Sequence, residues 1–157
     1  MAKFPEDSSE RELLRALQEN SQRSLRELSR QLELPISTVH EKIKRLERDG
    51  FIRGYRAILD ERKLGFTVTG FILVSVNYSA APKATQADIA AKAAKLPNVQ
   101  EVHIIAGEWD FLVKAKARSI EELGKLVTER LRNIPGVEKT LSIITYETVR
   151  EDSLLSL

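Results

Sequence analysis

The chain has 157 residues, 31% charged and 42% apolar, with a net charge of +2, a balance that fits one ordinary folded domain or two small ones. It has no cysteine and only two histidines, His40 and His103, which excludes disulfides, thiolate chemistry and a histidine-based metal site, and no cofactor is expected. No apolar run approaches the ~20 residues that span a bilayer, and "MAKFPEDSSE" lacks the apolar core of a signal peptide, so the expected residence is cytoplasmic.

The first third reads as helices. In "DSSERELLRALQE" Asp7 or Ser9 can cap, each with a glutamate three residues later, and Leu13, Leu14 and Leu17 share a face. "SQRSLRELSRQLEL" has Ser24 and Glu27 at capping-box spacing, with Leu25, Leu28 and Leu32 as its stripe. After a break at Pro35, "ISTVHEKIKRLERDG" is expected to take Ser37 as its cap, turn Val39, Ile43 and Leu46 inward, and stop at Gly50. Three helices with a tight connection before the third form the pattern of a helix-turn-helix.

On the third helix Ile36, Val39, Ile43 and Leu46 share the apolar stripe, and Ser37, Thr38, Glu41, Lys44, Arg45 and Arg48 lie opposite it, with His40 and Lys42 on the flanks. This is the division a DNA-reading helix needs. Its early residues can reach base edges, and its cations can meet phosphates or guanine. Lys42 is counted with the contacting set, and Ser24 opens a helix whose free amides can hold a phosphate. From Ser21 to Ile58 there are nine Lys or Arg against five Asp or Glu, so the basic excess sits in this segment.

The pattern then changes to β. "FIRGYRAIL" alternates like a strand, Asp60 to Gly65 reads as a turn, and "TVTGFILVSVNYS" is a long strand rich in branched residues. The helix "KATQADIAAKAAKL" follows, then strands "VQEVHIIAG" and "DFLVKAKA" around "GEWD", the helix "SIEELGKLVTERLRNI" with Ser119 and Glu122 at capping spacing, and the strand "VEKTLSIITYETV". The order βαββαβ, with similar junctions at "LPNVQEVHII" and "IPGVEKTLSII", predicts a ferredoxin-like sandwich. "FILVSV" is apolar at nearly every position, so both its faces are expected to be buried, one of them by a second subunit. In the "AGEWDF" turn, Glu108 and Asp110 end apolar strands, where acids can hold an amine, and Trp109 reads as a packing or interface residue.

The helix-turn-helix pattern, "RLERDGFIRGY", the "GE-x-D" turn and "PGV-x-x-T-x-S" together resemble the leucine-responsive regulatory protein/asparagine synthase regulator family, the feast/famine regulators, over Ser8 to about Val149. The resemblance implies an α+β protein that regulates transcription, binds double-stranded DNA and responds to a small effector, usually an amino acid. It implies dimers that assemble into octamers. It assigns Gly107, Glu108, Trp109 and Asp110 to the effector site, with Thr140 and Ser142 lining the same pocket. Three departures stand out: Lys42 where many members have arginine, Pro35 in place of a serine, and Ala106 in place of a threonine.

The expected organisation is 1–52 for DNA binding, 53–65 for a linker strand and turn, 66–150 for effector binding and oligomerisation, and 151–157 for a tail without a motif. Two other readings share the architecture. One is a haem-pathway decarboxylase-like enzyme, with His103 serving a porphyrin carboxylate. The other is an effectorless protein that coats DNA. The intact basic helix, and the lack of an arginine or histidine cluster around His103, favour a non-enzymatic regulator, and no catalytic residue is assigned.

Overall fold

The computed structural model describes residues 7–80 and 82–157. Most of the stretch read for a signal peptide, and the start of the 1–52 segment, lie outside the described residues. The chain forms two compact units: residues 1–58 together with 150–157, and residues 59–149.

The first unit holds α1 (Ser8–Glu19), α2 (Leu25–Gln31) and α3 (Ile36–Arg48). Asp7 caps α1 by accepting from the Ser9 amide, and Ser24 with Glu27 closes a complete capping box on α2. The expected stripes meet in one core of Leu13, Ala16, Leu17, Leu28, Val39 and Leu46, with Leu14, Leu25, Leu32 and Ile43 packed against it. At ~25 cal/mol per Å² of apolar surface, this burial is the main force holding three short helices together. The connection between α2 and α3 is locked by the Leu34 amide on the Ser29 carbonyl (3.1 Å) and by the Ser29 hydroxyl on the Leu34 carbonyl (2.6 Å). Gly50, at φ +79°, supplies the left-handed stop after α3.

Three expectations fail in this unit. Pro35, not Ser37, occupies the cap of α3, and no side chain caps that end. Proline's fixed φ suits the start of a helix, so the helix begins two residues earlier and Ser37 falls inside its first turn. Ile36, on that same first turn, is exposed rather than inward. "FIRGYRAIL" forms no strand, because among the described residues the first unit holds no strand to pair with it.

The second unit has β1 (Val68–Val76), α4 (Gln86–Ala93), β2 (Val99–Ile104), β3 (Phe111–Ala117), α5 (Ile120–Lys125) and β4 (Val137–Ile144). The sheet order is β2-β3-β1-β4 with every neighbouring pair antiparallel, the ferredoxin-like arrangement expected of βαββαβ. The single helix expected after β3 instead widens into a π-turn at Leu126–Leu131, where the Arg132 amide reaches the Val127 carbonyl at 2.9 Å. Ile72, Val74, Phe111, Val113, Ile89, Leu123 and Leu131 form the core between the sheet and the helices. Gly70 lets α5 approach, since a β-carbon there would lie 2.5 Å from a Leu123 methyl. The opposite face of the sheet is uncovered in the single chain: Leu141 and Ile143 are about half exposed, and Phe71 and Leu73 beside them are only partly buried.

The turn expected in the linker is part of the second unit. Glu61 pairs with the buried Lys116 on β3 (2.6 Å) and accepts from Gln100 (2.6 Å), and Arg118 stacks over Phe66 at 5.3 Å. The tail, which carries no motif, folds with the first unit. The Gln18 side-chain amide on α1 accepts from the Leu155 amide (2.8 Å) and donates to the Leu155 carbonyl (3.1 Å).

Candidate nucleic-acid interface and effector turn

α3 presents its polar face to solvent. Ser37, Glu41, Lys44, Arg45 and Arg48 are exposed and Thr38 is half-buried, while Val39 and Leu46 are sealed beneath. With no side-chain cap at Pro35, the first-turn amides of α3 have no partner side chain at that end. Lys44 and Arg48 reach only near neighbours, Glu47 at 3.5 Å and Asp49 at 3.2 Å, and their side chains are 66% and 72% exposed. Such loose surface pairs contribute little and are given up readily to a phosphate.

The other two cations behave differently. Lys42 is paired with Asp7, the N-cap of α1, and Arg45 with Glu10 on its first turn. The Lys42 side chain is only 15% exposed, with its ammonium held by Asp7. Lys42 first, and Ser9 after it, pull the Asp7 carboxyl down to about 2. Ser24 is likewise occupied: its hydroxyl donates to Glu27 (2.8 Å) and accepts from the Glu27 amide (3.2 Å). The Ser24 amide and hydroxyl hold the Glu27 carboxyl below the usual carboxylate range. The spacing of Asp7 and Glu10 signals helix capping, whereas their pairing with Lys42 and Arg45 joins residues 35 positions apart and leaves no local signal.

Beyond α3, Tyr55 turns back to donate to Glu47 (3.2 Å), and burial, followed by Glu47, raises its phenol pKa. Arg53 and Arg56 are exposed along this extended segment.

In the second unit the "GEWD" turn joins β2 to β3, with Gly107 at φ +133°, Glu108 exposed and Trp109 half-buried. Asp110 is held on all sides. Its carboxylate accepts from the Val76 amide (2.7 Å), the Tyr78 hydroxyl (3.1 Å) and the Gln86 amide (3.1 Å). Its backbone amide donates to the Val74 carbonyl (2.9 Å), and its carbonyl accepts from Ile105 (3.0 Å) and Gln86 (2.9 Å). The sequence did not single out Tyr78 or Gln86. Burial and then Asp110 raise the Tyr78 phenol pKa. Thr140 and Ser142 sit on the edge strand β4, opposite Val74 and Ile72, with β1 between them and β3. They are therefore about 10 Å from β3 and the turn at ~4.8 Å per strand, with Val74 adjoining both Thr140 and the Asp110 amide. His103, on β2, lies 2.9 Å from Glu101, which also accepts from Lys114 (3.0 Å). These two partners hold the Glu101 carboxyl below its usual range.

Residues 69–155 match the profile of the Lrp/AsnC ligand binding domain, and residues 6–53 that of a winged helix-turn-helix DNA-binding domain. The chain belongs to the Lrp/AsnC family. An HTH-type transcriptional regulator of Pyrococcus furiosus is 39% identical over 93% of the chain and 96% of its own length. The leucine-responsive regulatory protein of Escherichia coli K12 is 32% identical over 95% and 90%. A transcriptional regulator of Neisseria meningitidis, solved in complex with L-Met, superposes with a TM-score of 0.86 at 28% identity, covering 96% of each chain.

The Lrp/AsnC assignment gives the two units their roles, a helix-turn-helix for DNA and a ferredoxin-like domain for a ligand, in a transcriptional regulator. These relatives are named as regulators rather than enzymes. Among the described residues no helix is long and apolar enough to cross a membrane.

Proposed function

We propose that this Lrp/AsnC protein is a cytoplasmic, non-enzymatic regulator that reads DNA through α3 and changes its assembly or DNA affinity when an amino acid binds. The observation that carries the reading is the division of α3, with Val39 and Leu46 sealed in the core and Ser37, Thr38, Glu41, Lys44 and Arg48 turned outward. The first three reach base edges, and the two loosely held cations meet phosphates. Arg45 adds a half-exposed guanidinium, while Lys42 and Ser24 serve the fold of the unit.

Effector binding is assigned to Gly107, Glu108, Trp109 and Asp110 with Thr140 and Ser142. Since β1 separates these sets in one chain, a pocket touching both takes residues from neighbouring subunits. The uncovered face carrying Phe71, Leu73, Leu141 and Ile143 is the surface on which two copies pair, and dimers assemble further into an octamer. An effector at an interface favours one assembly over another, and coupling of that kind is typically worth ~1–3 kcal/mol.

The test is selection of bound duplexes from a random pool, with and without each of the twenty amino acids. L-methionine comes first, because the N. meningitidis relative was solved with it. Enrichment of one sequence, changed in yield or spacing by an amino acid, is the expected outcome. Uniform recovery without enrichment would make the protein a DNA-coating one instead.

A further inference from the structure

The first turn of α1 and the middle of α3 lie side by side like two combs. Asp7 and Glu10 are three residues apart, as are Lys42 and Arg45, and the pairs match in order, 7 with 42 and 10 with 45. The two rungs differ in what they leave exposed. Lys42 is spent, a compact ammonium 15% exposed against Asp7. Arg45 is 49% exposed while its acid, Glu10, is almost fully buried at 8%.

We propose that Glu10 is a positioning residue for base reading: it fixes one edge of the Arg45 guanidinium so that the remaining edge meets DNA in a defined orientation. This rests on the reading of α3 as the DNA-facing helix. The guanidinium carries five donors in a planar fork, and only Nη2 is engaged by Glu10, so the rest of the fork stays available. A free arginine loses much rotamer freedom when it docks. One already clamped by a buried carboxylate has lost that freedom in folding and presents a rigid pattern that a wrong base cannot satisfy. Lys44 and Arg48, exposed and tied only to neighbours on their own helix turn, lack such a clamp and supply charge without orientation. Glu10 is moreover an acid beside a polyanion, which weakens non-specific binding. Its contribution to discrimination and its contribution to bulk affinity therefore have opposite signs.

That opposition makes the experiment. The full-length protein and its Glu10→Gln, Arg45→Ala and double variants would be titrated against two duplexes at several salt concentrations. One duplex is the sequence enriched by the wild type, and the other is a scrambled duplex of equal length. Glu10→Gln should lower the preference for the enriched duplex by roughly tenfold, as expected for one oriented base contact, while scrambled-duplex affinity holds or rises. The double variant should lose no more preference than Arg45→Ala alone, because Glu10 acts only through Arg45. An unchanged preference in Glu10→Gln, additive losses in the double variant, or a loss that merely tracks the unfolded fraction in a melting curve would each overturn the proposal. A wild type that enriches no sequence removes the base-reading role of α3 and this proposal together. Enrichment by a wild type whose variants behave identically removes the proposal alone.

Discussion

Asp7 performs two tasks with one carboxylate, capping α1 through the Ser9 amide at 2.9 Å and pairing with Lys42. The cap was legible because it is local, a helix-starting residue beside its own helix. The ion pair was not, because it joins residues 35 positions apart and depends on how α1 packs against α3. Glu33 likewise carries φ +53° in the turn before α3, a conformation its side chain gave no sign of. Since Lys42 holds the Asp7 carboxyl near 2 against an ordinary 3.8, the ionised form is favoured in the folded state. The pair therefore contributes its full stability above about pH 3.8 and loses it as the pH falls through about 2. Asp7→Asn keeps a competent cap but removes the charge. Melting curves across that window should show a shallower acid loss for the variant than for the wild type.

At the level of elements, periodicity carried most of the reading. The three helical stripes, the apolar β1 and the βαββαβ order follow from spacing alone, and all appear in the fold. What spacing missed was decided by partners elsewhere in the chain. The 51–59 stretch has strand-like composition but pairs with no strand among the described residues, and the turn at 60–65 joins the sheet through Glu61 and Lys116. Asp110 is the sharpest case. From sequence it was an acid at a strand end, suited to an amine. In the fold it joins the turn, the end of β1 and the start of α4. Asp110→Ala strips the acceptor from the Val76 amide, and an orphaned buried donor costs about 1–3 kcal/mol. Asp110→Asn keeps an acceptor there. Denaturant unfolding should therefore show a clear loss for alanine and a small one for asparagine, and a ligand response lost in both would trace to the charge.

For the whole molecule, the sheet leaves one face without cover. A surface of Phe71, Leu73, Leu141 and Ile143 is costly to leave in water, and the proposed dimer would cover it with a second sheet at the ~10 Å spacing of packed sheets. Leu141→Asp places a charge in that contact at a position about half exposed in the single chain. The folded monomer should tolerate it. Analytical ultracentrifugation should show a shift toward monomer with the circular dichroism spectrum retained.

The tail has a mechanical meaning of its own. The polypeptide leaves the first unit after residue 58 and re-enters it at residue 150, so the ligand-binding unit is threaded into the DNA-binding unit as an insertion. Gln18 grips the Leu155 peptide by both its amide and its carbonyl, so the last residues act as a splint on α1, and cutting the chain after residue 149 would strip that splint from the DNA-binding unit alone.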